Sequence, residues 1–176
     1  MKKWLVQRYQ TSSVYELRQR LRGLYKPRPL RSCRTYIHDL VTREIQDQIF
    51  MEVYWVSPPV GPGPGASIYI IDDEVMRFDC FGSDAGHYHF NIRQSKFLPN
   101  GEKTRIFFPD GTVEDQIENA TVQLRRNLDY GRGLNTDPRI RAVKIDQTAV
   151  DEAAEWMRDE LLGIAAVERD IRPAVC

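Results

Sequence analysis

Residues 77–93 read RFDCFGSDAGHYHFNIR and bring a carboxylate, a thiol and two imidazoles, from Asp79, Cys80, His87 and His89, into one short stretch. Two histidines separated by one residue project the same way from a strand, with Cα atoms about 6.6 Å apart, near enough to hold one metal ion. With Asp79 they form a two-histidine, one-carboxylate donor set suited to a divalent transition metal, zinc or iron. The metal-ligand candidates are therefore His87, His89 and Asp79. Without a metal, Asp79 can orient a neutral His89 as a general base, while Arg77 or Arg93 steadies an anion such as phosphate. In that alternative Asp79 and His89 are the catalytic candidates. The competing account is a cross-strand Asp–His ion pair that adds at most about 1 kcal/mol to sheet pairing.

These roles depend on the strands that carry the residues. Alternation puts Met76, Phe78 and Cys80 on one face of a strand and Arg77, Asp79 and Phe81 on the other, while Tyr88, Phe90 and Ile92 oppose His87, His89, Asn91 and Arg93. Pairing Phe81 with His87 across the loop GSDAG sets Phe78 against Phe90 and Asp79 against His89, and it makes one face continuously apolar. The imidazoles and the carboxylate then share the polar face, and Cys80 is a small core residue on the other.

The flanking segments complete an antiparallel meander. SIYII, a turn at Asp72–Asp73, EVMRFDCF, HYHFNIR and TRIFF read as successive strands, closed by the turn signal PDG. Upstream, residues 35–56 suit a helix followed by a strand from about Ile49 to Val56. PPVGPGPGAS fails as a phosphate-binding loop, because its glycines alternate with prolines and lead into a strand, and it reads as a connector. Downstream, Thr112 and Asp115 form a capping box for a helix with Val113, Ile117, Ala120, Leu124 and Leu128 on one side and Arg125 and Arg126 towards its C-terminus. GRGLNTDP ends it, RAVKI reads as a short strand, and Thr148 opens a second helix with Ala149, Ala153, Met157, Leu161 and Ile164 on one side. The fold class is α+β: a small antiparallel β-meander with helices packed on one face and an extended basic N-terminal arm.

That arm, residues 1–34, carries ten basic residues against Glu16 alone, a net charge of plus nine in a chain of 176 residues whose total is zero. Residues 35–176, a single α+β domain, are acidic to the same extent. Within the arm, Ser13 and Glu16 make a capping box, Val14, Leu17, Leu21 and Leu24 recur at helical spacing, and Gly23 and Pro27 mark the exit. Arg18 and Arg22 lie one turn apart, and Lys26, Arg28 and Arg31 follow in a proline-spaced extended segment. These five residues are the partner-binding candidates. Their partner is a larger acidic protein, with nucleic acid as the alternative, or the acidic body of the chain itself.

No apolar run approaches the roughly 20 residues of a membrane span. Cys33, Cys80 and Cys176 are scattered and odd in number, which argues against a disulfide framework and a four-cysteine zinc site; the chain reads as cytoplasmic. The order strand, RFD, short loop, paired histidines, strand, helix resembles small bacterial toxins of the TumE-like group over the central third of the chain. One His-x-His stands where that group has a denser histidine cluster, so no residue role or activity carries over. Two functions follow. One is an accessory subunit that docks onto a larger partner through its arm. The other is a hydrolase, a metal-assisted phosphodiesterase or ribonuclease, using Asp79, His87 and His89.

Overall fold

The computed structural model describes residues 37–57, 62–91 and 105–171. The basic arm, with Arg18, Arg22, Lys26, Arg28 and Arg31, lies outside the described residues. Six strands form one sheet: β1 (Ile37–Gln46), β2 (Ile49–Val56), β3 (Gly63–Ile70), β4 (Asp73–Asp79), β5 (His87–Phe90) and β6 (Ile106–Phe107). Spatial order follows chain order, and all neighbours are antiparallel. The meander expected from the turn signals is therefore present.

Its first strand corrects the helix expected over residues 35–48. The pairing of β1 with β2 is interrupted between His38 and Val41 and again between Glu44 and Gln46, and Asp39 has a φ of 52°. Each bulge inserts one extra residue and turns the following side chains over. Ile37, Leu40, Arg43, Ile45 and Gln46 are consequently the half-buried positions, and the steps of three from Ile37 to Arg43 mimic a helix. The connector reading of PPVGPGPGAS is also corrected, because β3 begins at Gly63 and pairs from there with Val56. Proline at position 64 is tolerated there, paired with Trp55.

Helices cover one face. Helix α1 (Val113–Gly133) has the expected capping box: Asp115 N donates to Thr112 Oγ1 at 3.1 Å and Thr112 N to Asp115 Oδ2 at 2.9 Å. It runs on through the first glycines of GRGLNTDP, so Arg125 and Arg126 sit mid-helix. Arg125 instead reaches across to Glu155 on α3 (Gln147–Ile171). RAVKI is not a strand: its first residues end the short α2 (Pro138–Ala142), capped by Asp137 and opened by Pro138. The cap of α3 lies two residues before Thr148, at Asp146, whose Oδ1 accepts from Thr148 N at 3.0 Å and Ala149 N at 3.3 Å.

Met51, Val53, Ala66, Ile68, Met76, Phe78 and Cys80 from the sheet meet Ile117, Leu124 and Leu128 of α1 and Ala153, Met157 and Leu161 of α3 in one core. Cys80 is a buried free thiol in that core, and burial drives its pKa far up. No helix among the described residues is long and apolar enough to cross a membrane.

Candidate metal centre

Asp79 ends β4 and His87 begins β5, and the two are direct partners in the ladder; Arg77 is opposite His89, Phe78 opposite Tyr88 and Met76 opposite Phe90. The pairing of Phe81 with His87, and so of Asp79 with His89, is thus off by two residues. Cys80 N bonds to Pro64 O at 2.9 Å, and the chain then leaves β5 over residues 80–86 before returning. A shift of two preserves parity, so the face assignment survives the error. Asp79, His87 and His89 emerge together, and Cys80 lies on the other side.

Gln116 of α1 holds that loop. Its Oε1 accepts from Gly82 N at 2.8 Å, and its Nε2 donates to Ser83 O at 2.8 Å. Gly86 passes so close that a Cβ there would lie 1.8 Å from Gln116 Oε1. The loop is therefore clamped immediately before His87. Nothing in local periodicity marks Gln116, since the side chain is recruited from 30 positions downstream.

The ladders place two rows of side chains side by side across the sheet: Tyr54, Gly65, Asp79, His87 and Phe107, and next to it Glu52, Ser67, Arg77 and His89. Gly65 has no side chain, and the Tyr54 ring lies against it, where a Cβ would meet Tyr54 Cε2 at 2.8 Å. An antiparallel sheet covered by helices on one side ordinarily leaves its other side to water. Instead, Asp79 is 2% exposed, His87 5%, His89 6%, and Glu52, Tyr54 and Ser67 are fully buried. Sequence reasoning missed Tyr54, Ser67 and Glu52 because an alternating pattern does not distinguish a wet polar face from a buried one.

One ligand atom from each of Asp79, His87 and His89 lies within 4.8 Å of the others. Both Nε2 atoms stand 3.5 Å from Asp79 Oδ2. His87 Nδ1 faces Ala85 O at 2.8 Å, and a carbonyl only accepts, so the proton sits on Nδ1 and Nε2 keeps its lone pair. Arg77 Nη2 faces His89 Nε2 at 3.0 Å, and a guanidinium only donates, so that nitrogen is an acceptor too. Arg77 Nε lies 2.7 Å from Asp79 Oδ2. Three acceptor atoms therefore converge, with both imidazole protons on Nδ1, turned away from the space between them, and with Arg77 against Asp79 and His89. The Ala85 carbonyl orients His87 in the manner typical of a metal-bound imidazole. A buried Asp79–His87–His89 group of this kind could hold a metal ion.

Burial lowers the pKa of both histidines, against the opposing pull of Asp79, and the Arg77 charge lowers it further. Both are neutral at pH 7, the form that binds metal. The same shifts set a stability profile. Unfolded histidine titrates near 6.5, whereas the folded pair resists protonation. In the presence of chelator, stability is expected to be flat above that pH and to fall below it, by up to ~2.7 kcal/mol per pH unit if both sites take part. Urea midpoints at three pH values spanning this range, in the native chain and in a His87→Gln/His89→Gln variant, measure it. The dependence should flatten in the variant, and equal slopes in the two proteins would show that the histidines titrate normally.

Comparison of the chain with protein-family models, with curated proteins and with solved structures finds no match. The chemistry of the centre is therefore read from its own geometry. At zinc–ligand distances of about 2.0–2.1 Å, the edge of a tetrahedral site is about 3.3 Å and that of an octahedral one about 2.9 Å. The two Asp79–histidine separations are 3.5 Å and all three ligand atoms lie within 4.8 Å of one another, so the side chains would close in slightly on an ion of either geometry. Phe81 and Phe107 flank the His87 ring at centroid distances of 6.0 and 5.7 Å, and Phe107 is 58% exposed. It stands at the open end of the row, on the short edge strand β6.

Proposed function

We propose that the protein is a metal-dependent hydrolase of phosphate esters, with one divalent transition metal, zinc or iron, held by Asp79, His87 and His89. The observation that carries this reading is the convergence of Asp79 Oδ2, His87 Nε2 and His89 Nε2 as acceptors. Such a group of buried lone pairs calls for a cation among them. Arg77 supplies part of that charge from one side, which makes it the group that metal binding must displace from Asp79 and His89. Asp79, His87 and His89 would hold the ion, which when bound would supply Lewis-acid activation of a water molecule.

The rest of the chemistry belongs to the chain. A displaced Arg77 remains within the same pair of rows, where its planar fork suits a phosphoryl oxygen. Arg105, which already lowers the pKa of His87 through space, adds positive potential on the β6 side. Phe107 offers an exposed ring beside the metal ligands on which an aromatic portion of a substrate can rest. The metal-free alternative, His89 as a general base oriented by Asp79, fits less well. Asp79 and Arg77 both address Nε2, while Nδ1 is buried with no hydrogen-bond partner, so neither nitrogen faces a substrate.

Elemental analysis of protein purified without a histidine tag tests the reading. About one equivalent of zinc or iron per chain is expected, as isolated or after incubation with either ion. Metal should be lost in His87→Ala/His89→Ala, and chelation should abolish hydrolysis of bis(4-nitrophenyl) phosphate. A native chain that neither retains nor takes up either metal would end the proposal.

A further inference from the structure

Arg77 stands directly opposite His89 in the ladder between β4 and β5 and shares the face of the metal ligands. Its guanidinium already takes the part of a cation in the centre: Nη2 faces His89 Nε2 at 3.0 Å, and Nε lies 2.7 Å from Asp79 Oδ2. The fit is incomplete. Nε comes that close without the alignment of a hydrogen bond, so its proton is buried with no acceptor. An arginine with a spare buried donor is suited to an anionic oxygen.

The lone pairs decide how this arrangement responds to a metal. A neutral imidazole with its proton on Nδ1 has a single lone pair on Nε2. That pair either accepts from Arg77 or binds a metal; it cannot do both. Nη2 of Arg77 is therefore released when Asp79, His87 and His89 hold an ion. Ladder pairing with His89 keeps the Arg77 backbone in place, so the released guanidinium stays beside the ion, one positive charge next to another. Two such cations repel, and an anion that touches both removes the conflict. The Arg77 side chain is 17% exposed, which leaves it open to a ligand from solvent.

We propose, resting on the hydrolase reading of the same centre, that Arg77 is an exchangeable counter-ion that couples metal to substrate, passing from His89 to a phosphate-ester oxygen when the metal enters. Metal and phosphate ester then bind cooperatively, each weakly alone and more tightly in the presence of the other. The centre is loaded with metal and substrate together. A different role for Arg77, as a support that steadies Asp79 for the metal, predicts the opposite sign, because removing a support weakens metal binding.

Zinc affinity of the full-length chain, measured by competition with a chelating dye at constant ionic strength, tests this in the native protein and in Arg77→Met. Without a phosphate ester, Arg77→Met should bind zinc at least about tenfold more tightly than the native chain. Excess dimethyl phosphate should tighten native zinc binding by about fivefold or more, and that of Arg77→Met by much less. Equal or weaker zinc binding by the variant would overturn the proposal, as would equal tightening in the two proteins. Should Arg77→Met fail to fold, phenylglyoxal labelling of Arg77 in the native chain decides. Labelling should be slow without metal, about tenfold faster with zinc, and slow again once dimethyl phosphate is added. A rate that zinc leaves unchanged would overturn the proposal alone. Uptake of no zinc by either protein would instead strike the metal centre itself, and this proposal with it.

Discussion

Asp79→Asn is expected to fold within about 1 kcal/mol of the native chain and to lose more than about 100-fold in metal affinity. The two effects separate because of what the amide brings. Asparagine keeps the shape of the side chain and offers an N–H to the lone pair of either histidine Nε2, each 3.5 Å from the native carboxylate oxygen. That gain offsets the lost ion pair with Arg77, whose side chain is 17% exposed and retains access to water. A metal held by this group would, by contrast, lose its only anionic ligand. Asp79→Ala should behave differently, because it leaves Arg77 half-buried beside two acceptors and an empty volume, at a cost of about 3 kcal/mol. Thermal denaturation and competition titration with a chelating dye, run on both variants, separate the contributions. If Asp79→Asn binds zinc as tightly as the native chain does, Asp79 is not a ligand.

Gly86→Ala should reduce stability by about 2–3 kcal/mol and weaken metal binding by about tenfold or more, although residue 86 bears no side chain and touches no metal. The new methyl group occupies the place of the Gln116 carboxamide. Gln116 is flexible enough to withdraw, but it then abandons both Gly82 N and Ser83 O, and with them the clamp on the loop that leads into His87. Gln116→Ala should reproduce most of the effect. Combining the two should cost little more than either alone, because each removes the same pair of hydrogen bonds. Additive losses in urea denaturation would show that the loop is held by something else.

Much of the sheet was legible from the sequence for a simple reason: side chains on a strand alternate. That alone placed Asp79, His87 and His89 on one side and Cys80 on the other, and it tolerated a register error of two residues because any even shift preserves the face. The misreading of β1 has the converse cause. A bulge after His38 breaks the alternation, and apolar residues at Ile37, Leu40, Val41 and Ile45 carry no mark that separates a kinked strand from a helix. Likewise Arg125 suits a helix terminus by its position after the apolar stripe, whereas its partner is Glu155 on another helix.

By itself, then, the sequence determined the class of fold, the capping of α1, the thiol's place in the core and the three residues of the centre, all consequences of short-range periodicity and of side chains a few positions apart. Only the tertiary structure decided that the polar face is dry, that Arg77 and the Ala85 carbonyl fix the imidazole protons on Nδ1, and that Gln116 clamps the loop before His87. Those features depend on groups brought together across strands or from distant helices. Burial is a property of what packs over a residue, and no local pattern encodes it.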